Sequence, residues 1–326
     1  MIDSSILLLY FFTLTCSIGI VISNDAAFET VSKHGYLSVI GSNLVNQKGD
    51  IVQLKGMALY WSIWKPQYWN EDTVAAIHDV CHSNVVRASM GVDTFDGGYL
   101  TDPVGQRDLV ETVIKAAIKN DIYVIVDWHE EHAEDHLERA KDFFSYISKK
   151  YGSYPNMMYE TFNEPLDVSW SDDLKPYHEE IIKAIRANDP NNVIIVGTPT
   201  WSQRVDLAAE DPITDQKNIM YTLHFYAGSH RQWLRDLAQG AIDKGLPIFI
   251  TEYGTDNVDP NATVDEAESI LWWDWCDKNN LSYANWAICD VNEASAALIA
   301  DTTPKQVCQD EYLTKSGRLV VAHNKA

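Results

Sequence analysis

Basic side chains are scarce in this sequence. Its 326 residues carry 25 Lys and Arg against 47 Asp and Glu, which gives a formal net charge of −22. Proteins that bind nucleic acids or anionic membranes use clustered Lys and Arg, so this balance argues against both as partners. An uncharged partner is compatible with it, and the excess of acidic groups mainly favours solubility.

Cysteine is also scarce, and no C-x-x-C pair occurs. Cys16 lies in an N-terminal apolar run, which leaves Cys81, Cys276, Cys289 and Cys308 for the rest of the chain. Without paired spacing neither a zinc site nor a redox motif is indicated, and we predict no metal. Four cysteines allow three pairings, and one or two disulfides are expected in an oxidising compartment.

Long hydrophobic runs are limited to the N-terminus. Residues 6–22 carry no charged side chain, and small or polar residues follow at Ser23-Asn24. This pattern predicts a secretory signal peptide over residues 1–23 and a single extracellular domain over residues 24–326. An uncleaved anchor is the alternative, because Asp3 precedes the run and no Lys or Arg does. Acceptor sequons for N-glycans occur at Asn261 and Asn280.

No internal repeat or low-complexity linker divides the remaining chain. After a predicted hairpin over Tyr36–Val52, short apolar runs alternate with longer amphipathic stretches. Continuous apolar runs are typical of strands buried on both faces, and their alternation with helices indicates a parallel sheet. Eight such units predict a (β/α)8 TIM barrel, with a doubly wound open sheet as the alternative. The predicted strands are Val52–Ala58, Asn84–Met90, Ile122–Trp128, Met157–Thr161, Val193–Val196, Ile219–Phe225, Pro247–Thr251 and Ser282–Ile288.

Helices are predicted between these strands. In Ala133–Tyr151, apolar residues recur three or four positions apart while acidic residues and Lys occupy the other face. After the fifth strand the pattern predicts a short helix over Ser202–Glu210. The other predicted helices are Asp72–His82, Arg107–Lys119, Asp173–Ala187, Arg231–Lys244 and Val264–Lys278.

Two glutamates stand at the C-terminal ends of predicted strands. Glu164 follows strand four and Glu252 ends strand seven. In a barrel these ends meet at one mouth, where active sites are built. Side chains pointing inward from there can approach to about 5 Å, as the two carboxylates of a retaining glycosidase do. The placement therefore predicts a glycoside-cleaving pair, against the alternative of two solvated loop residues.

Other polar residues at the same strand ends would support this pair. Arg87, late in strand two, would hold one glutamate ionised, since a nearby cation lowers the pKa of a carboxyl group. His224 and Tyr226 would donate hydrogen bonds around the nucleophile, and Asn163 would hold a sugar 2-hydroxyl. For His129 and His224, a satisfied buried histidine is the alternative.

The sequence is rich in tryptophan, with 11 residues. Tyr60, Trp61 and Trp64 follow strand one, Trp201 follows strand five, and Trp286 lies in strand eight. Aromatic rings offer a large contact area at low conformational cost, so residues at these positions fit a sugar polymer.

The segment His129–His136 carries a competing signal. His132 and His136 are four residues apart, a zinc-ligand spacing on a helix. The glutamate of an H-E-x-x-H motif would be residue 133, which is Ala. We therefore interpret this segment as the charged start of a helix and not as the ligand set of a metal-dependent hydrolase.

The motifs around these residues resemble glycoside hydrolase family 5, and more narrowly the secreted cellulases of its subfamily 2. The resemblance extends from about Tyr36 to Arg318 and implies a (β/α)8 catalytic domain that needs no cofactor. It implies that Glu164 is the general acid/base and Glu252 the nucleophile. The other implied active-site residues are Arg87, His129, Asn163, His224, Tyr226 and Trp286. The stretches that carry it are LKGMALYWSIW, NVVRASMG, YVIVDWHEEHAEDH, YETFNEP, GTPTWSQ, YTLHFYAGSH, ITEYG, NWAI and LTKSGRLV.

The substrate implied by this resemblance is β-1,4-glucan, cut internally with retention, and we expect a monomer. Many relatives carry Lys where this chain has Val291, whereas Glu293 is kept as a substrate-binding residue. Tyr60 replaces a His of some relatives, and Arg204 stands where Asp is common. These departures leave xyloglucan, mannan or xylan open as preferred substrates. A non-catalytic sugar-binding or effector protein on the same barrel is a second alternative.

Overall fold

The computed structural model describes residues 30–93, 97–259 and 262–326. The predicted signal peptide and the sequon at Asn261 lie outside these ranges. Asn280, at the other sequon, is exposed. Within the described ranges, no helix combines the length and the apolar character needed to cross a membrane.

Eight parallel strands close into a barrel, which confirms the predicted fold and excludes the open sheet. The ladder runs in chain order from β3 to β10, and β10 pairs with β3 to complete the ring. The strands are β3 (Lys55–Leu59), β4 (Val85–Gly91), β5 (Tyr123–His129), β6 (Met157–Glu160), β7 (Val193–Val196), β8 (Ile219–Tyr226), β9 (Ile248–Gly254) and β10 (Tyr283–Ile288).

Helices surround the barrel, largely where the sequence predicts them. Side-chain caps set several starts: Asn70, Asp102 and Asp265 each accept a hydrogen bond from a backbone N–H of the first turn. The predicted helix Ala133–Tyr151 divides into a 3-10 turn over Ala133–His136 and a following α-helix. The helices are α1 (Val31–His34), α2 (Glu71–Asp79), α3 (Pro103–Lys119), α4 (Leu137–Tyr151), α5 (Lys175–Arg186), α6 (Pro199–Ser202), α7 (Val205–Glu210), α8 (Gln232–Asp243), α9 (Glu266–Lys278) and α10 (Lys315–Asn324).

The predicted N-terminal hairpin is present as β1 (Ser38–Ile40) and β2 (Asn43–Val45). Leu37, just before β1, and Leu44 in β2 belong to an apolar cluster. The other members include residues from the N-terminal parts of the barrel strands. Val52 and Leu54 belong to the same cluster, although the sequence places them in the first barrel strand. Their apolar character therefore reflects this packing, and β3 begins at Lys55. The cluster fills the N-terminal end of the barrel, so the C-terminal end forms the mouth.

One disulfide joins Cys81, just after α2, to Cys308, with their Cα atoms 5.4 Å apart. Cys276 and Cys289 are free and buried. Of the one or two disulfides expected from the sequence, the structure has one, and it is the bond between Cys81 and Cys308.

Candidate active site

Glu164 and Glu252 lie face to face at the barrel mouth. Glu252 is in β9, where it pairs in register with His224 of β8. Glu164 stands four residues beyond the end of β6. One carboxylate oxygen of each glutamate and a ring nitrogen of His224 all lie within 4.8 Å of one another. The side chains of Glu164 and Glu252 are 17% and 5% exposed, so the pair is largely shielded but open on one side.

Arg87 fixes the position and charge of Glu252. Its fully buried guanidinium donates from Nη1 to Glu252 Oε2 at 2.7 Å and from Nε to Glu160 Oε2 at 2.7 Å. Burial by itself raises the pKa of Glu252, but the charges of His224 and Arg87 outweigh it and hold that pKa below its usual value. Glu252 is therefore the ionised member of the pair.

Both oxygens of Glu252 are held. The Tyr226 hydroxyl donates to Oε1 at 2.9 Å, while Arg87 occupies Oε2. Asn163 is fixed by the same guanidinium, because its Oδ1 accepts from Nη2 at 2.6 Å. This contact turns the Asn163 amide nitrogen away from Arg87 and leaves it as the donor for another group.

His224 links Glu164 to the buried end of the site. Its Nδ1 lies 2.9 Å from Glu164 Oε1, and its Nε2 donates to Thr251 Oγ1 at 2.9 Å. Burial lowers the pKa of His224, but the carboxylates of Glu160, 3.7 Å from Nε2, and of Glu164 more than reverse this and raise it to about 9. His224 is therefore an imidazolium at neutral pH and donates from both nitrogens.

Glu164 has the opposite electrostatic character to Glu252. Burial raises the pKa of Glu164, and the negative charge of Glu252 raises it further, against the hydrogen bond from His224. The pKa values of two chemically identical side chains are thus shifted in opposite directions. Such a split is how a site assigns acid and nucleophile roles to a pair of carboxyl groups.

Aromatic rings form one wall of the mouth. The Tyr60 ring lies 5.1 Å from Trp286 and 6.2 Å from Trp64, and its hydroxyl donates to Glu293 at 3.2 Å. Trp64 is 41% exposed, so its ring is accessible. His129 stacks on Trp286 with centroids 5.2 Å apart. Burial, followed by the charge of Arg87, holds the pKa of His129 well below its usual value, so this imidazole is neutral.

Trp201 forms another part of the wall. It lines a cleft of about 590 Å³ together with Glu164, Val258 and Glu293. Its ring is 46% exposed, and its backbone has φ 54°, in the left-handed region. The structure thus brings together every site residue predicted from the sequence.

The chain matches a known protein family over most of its length. The family model described as "Cellulase (glycosyl hydrolase family 5)" matches residues 45–292. This chain belongs to glycoside hydrolase family 5.

Relatives within the family are similar over most of this chain. Endoglucanase Z of Dickeya dadantii is 47% identical over 268 residues, which are 81% of this chain and 61% of that protein. An endoglucanase of Clostridium saccharobutylicum is 43% identical over 299 residues, which are 90% of this chain and 66% of that protein. The chain thus spans about three fifths to two thirds of the length of these curated relatives.

Solved structures extend the likeness to the fold. A structure from Cytophaga hutchinsonii is 46% identical with a TM-score of 0.89, covering 91% of this chain and 97% of that one. The catalytic domain of endoglucanase Cel5A from Thermobifida fusca is 31% identical with a TM-score of 0.85, covering 91% of this chain and all of that one. A variant of that domain was solved in complex with cellotetraose.

Sequence reasoning missed the buried shell beneath this family 5 site. Asp127 Oδ2 lies 3.0 Å from the Arg87 guanidinium and 2.6 Å from His129 Nδ1. Thr251 donates to Glu160 at 2.6 Å, and all of these side chains are buried. A polar residue inside an otherwise apolar strand requires a partner. That signal was present at Asp127 and Glu160.

The three histidines of the segment His129–His136 have separate partners in the structure. His129, His132 and His136 each pair with a different carboxylate, Asp127, Glu134 and Glu130 respectively. Among the described residues, the group with metal-ligand spacing is Glu164, His224 and Glu252 itself. The Arg87 guanidinium, whose Nη1 donates to Glu252 Oε2 at 2.7 Å, already supplies a positive charge to one carboxylate of this group.

Proposed function

We propose that this family 5 chain is a secreted, monomeric endo-β-1,4-glucanase that cleaves with retention and without a cofactor. The observation that carries the proposal is the approach of Glu164 to Glu252 within 4.8 Å. Retaining glycosidases hold their carboxyl groups about 5 Å apart, whereas inverting enzymes leave about 6.5–9.5 Å for a water molecule. The separation here fits direct attack by one carboxylate.

The opposed pKa shifts define the chemical steps. Glu164, the member of the pair whose pKa is raised, acts as the acid and gives a proton to the leaving glycosidic oxygen. Glu252 attacks the anomeric carbon as that bond breaks and forms a covalent glycosyl-enzyme. Glu164, now ionised, removes a proton from water, which displaces Glu252 and releases the sugar with its original configuration.

The surrounding residues would bind the sugar chain. The Asn163 amide nitrogen is placed to donate to the 2-hydroxyl of the reacting sugar, a contact that strengthens in the transition state. Tyr60, Trp64 and Trp286 would pack against sugar faces on one side of the bond and Trp201 on the other, while Glu293 would accept from sugar hydroxyls.

β-1,4-Glucan is the favoured substrate because several similar proteins are named endoglucanases and one related domain was solved with cellotetraose. The open cleft suits cleavage within a chain. At position 291, an apolar Val packs beside the Tyr60–Trp286 cluster. Without a charged donor there, xyloglucan, mannan or xylan are the alternative polymers to test.

A reducing-sugar assay with matched variants tests the proposal. We expect the enzyme to release more reducing sugar from barley β-glucan and carboxymethylcellulose than from xyloglucan, glucomannan and xylan. Glu164→Gln and Glu252→Gln should each lower turnover by about 10²-fold or more, while Glu131→Gln, an exposed neighbour of the mouth, retains it. Near-normal rates for Glu252→Gln would show that the assignment is wrong, and no release by the wild type would favour a sugar-binding protein.

A further inference from the structure

Glu130 lies beside the active site but directs its carboxylate into the protein. The residue is 7% exposed. Trp128 Nε1 donates to its Oε2 at 2.9 Å, and His136 Nδ1 lies 2.6 Å from its Oε1. Burial raises the pKa of Glu130, so its ionised form depends on these two partners. We call the group of Trp128, Glu130 and His136 the Glu130 clamp.

The main chain of the clamp holds the loop that carries Glu164. The ladder between β5 and β6 ends at the pair Asp127–Glu160. Beyond it, the Asn163 N–H donates to the Trp128 carbonyl at 3.2 Å, and the Glu164 N–H donates to the Glu130 carbonyl at 3.2 Å. The backbone of Glu164 is therefore attached to the segment whose side chains form the clamp.

We propose that Glu130 and His136 are positioning residues for the general acid/base, which rests on the function proposed above. Two contacts fix the Glu130 carboxylate: one with the buried Trp128 and one with His136, the residue just before α4. This fixes the Glu130 carbonyl and, through it, the Glu164 backbone. Loss of the His136 contact would free the segment and move the Glu164 carboxyl from the leaving oxygen, where a shift of about 1 Å can cost about 10²-fold in rate.

His132 offers a matched control on the same segment. Its side chain is 58% exposed, and its nearest carboxylate, that of Glu134, is 3.8 Å away. His136 is 33% exposed, so its replacement does not open the core. An effect that follows His136 and not His132 therefore reports on the clamp.

The leaving group of the substrate separates acid catalysis from general damage. Glycosyl-enzyme formation from a 2,4-dinitrophenyl β-cellotrioside releases a stable phenolate anion and needs little proton donation. A phenyl β-cellotrioside requires the proton from Glu164 as its C–O bond breaks. Because kcat/KM reports the steps through formation of the glycosyl-enzyme, the ratio of the two values measures the acid function.

In the full chain, His136→Leu should lower kcat/KM for the phenyl substrate by about 10- to 100-fold and that for the dinitrophenyl substrate by less than about threefold. His136→Asn, which keeps an amide donor near the position of Nδ1, should restore most of the loss. His132→Leu should leave both values unchanged. Glu130→Gln, which keeps the shape of the side chain, should repeat the selective loss and replaces His136→Leu if that variant melts early.

Equal losses on both substrates, or no loss on either, would overturn the role of the clamp while leaving the hydrolase proposal standing. Failure of the wild type to cleave either substrate would overturn the hydrolase proposal itself, and the clamp with it.

Discussion

At the scale of single residues, neighbours shift the pKa values of two glutamates in opposite directions. Glu252 accepts from a guanidinium and a phenol, whereas Glu164 faces His224 and the charge of Glu252. The sequence predicted this pair because strand ends in a barrel converge. It did not predict the contacts of Glu160 and Asp127, because their partners are far apart in the chain and meet only when the strands are in register.

The charge of His224 makes a testable contribution to the pH dependence. In the proposed mechanism Glu252 must be ionised and Glu164 protonated, so kcat/KM should fall at low and at high pH. The His224 cation lowers the pKa of both carboxyl groups. His224→Asn keeps a neutral donor and removes the charge, which raises both pKa values, so both limbs of the profile should move to higher pH. His82→Asn, an exposed control, should leave them in place, and limbs that do not move in His224→Asn would contradict this account.

At the scale of elements, barrel strands were predicted to within a few residues, but the backbone between them was not. The sequence predicts one helix over Ser202–Glu210, whereas the structure has α6 and α7 with a left-handed turn at Thr200–Ser202. Tertiary bonds stabilise this turn: the N–H of Thr200 donates to Leu166 at 2.9 Å and that of Trp201 to Pro165 at 2.8 Å. Local sequence carries no record of such contacts.

The turn predicts a trade between stability and binding. Thr200 has φ 59°, which is costly for a β-branched residue by about 1–2 kcal/mol. Thr200→Gly should raise the free energy of unfolding by up to about 1 kcal/mol, after the larger entropy loss of Gly. It should also raise KM for β-glucan, because the more flexible Gly backbone would hold the neighbouring Trp201 ring less rigidly in the cleft. Chemical denaturation and initial rates measure the two effects. His82→Gly, also at positive φ, should leave KM unchanged, and an unaltered KM in Thr200→Gly would argue against a binding role for the turn.

At the scale of the whole molecule, alternating apolar runs and amphipathic stretches were enough to predict the barrel. The barrel and the N-terminal hairpin were both predicted, but the packing of Leu37 and Leu44 against the barrel strands was not, because the local pattern does not show which elements meet. The disulfide joins residues 227 positions apart, and the sequence could not choose it from three pairings. Net charge, by contrast, is read directly from the sequence and acts on the molecule as a whole.

A net charge of −22 predicts a salt effect that depends on the substrate. Carboxymethylcellulose is a polyanion and is repelled by the acidic protein, whereas barley β-glucan is neutral. Raising the ionic strength from about 0.01 M to 0.1 M shortens the screening length from about 30 Å to 10 Å. KM should therefore fall for carboxymethylcellulose and stay constant for β-glucan, as measured by initial rates. Equal responses of the two polymers would exclude long-range repulsion as the cause.

The stereochemistry of the first product tests the central claim most directly. Proton NMR recorded soon after enzyme is added to cellotetraose distinguishes the α- and β-anomers of the newly formed reducing end before they interconvert. Glu252 attacks the anomeric carbon from the face opposite the leaving oxygen, and water then displaces Glu252 from the face that the leaving group vacated. These two inversions predict that the β-anomer appears first. Initial appearance of the α-anomer would mean a single displacement by water, and it would contradict a nucleophilic role for Glu252.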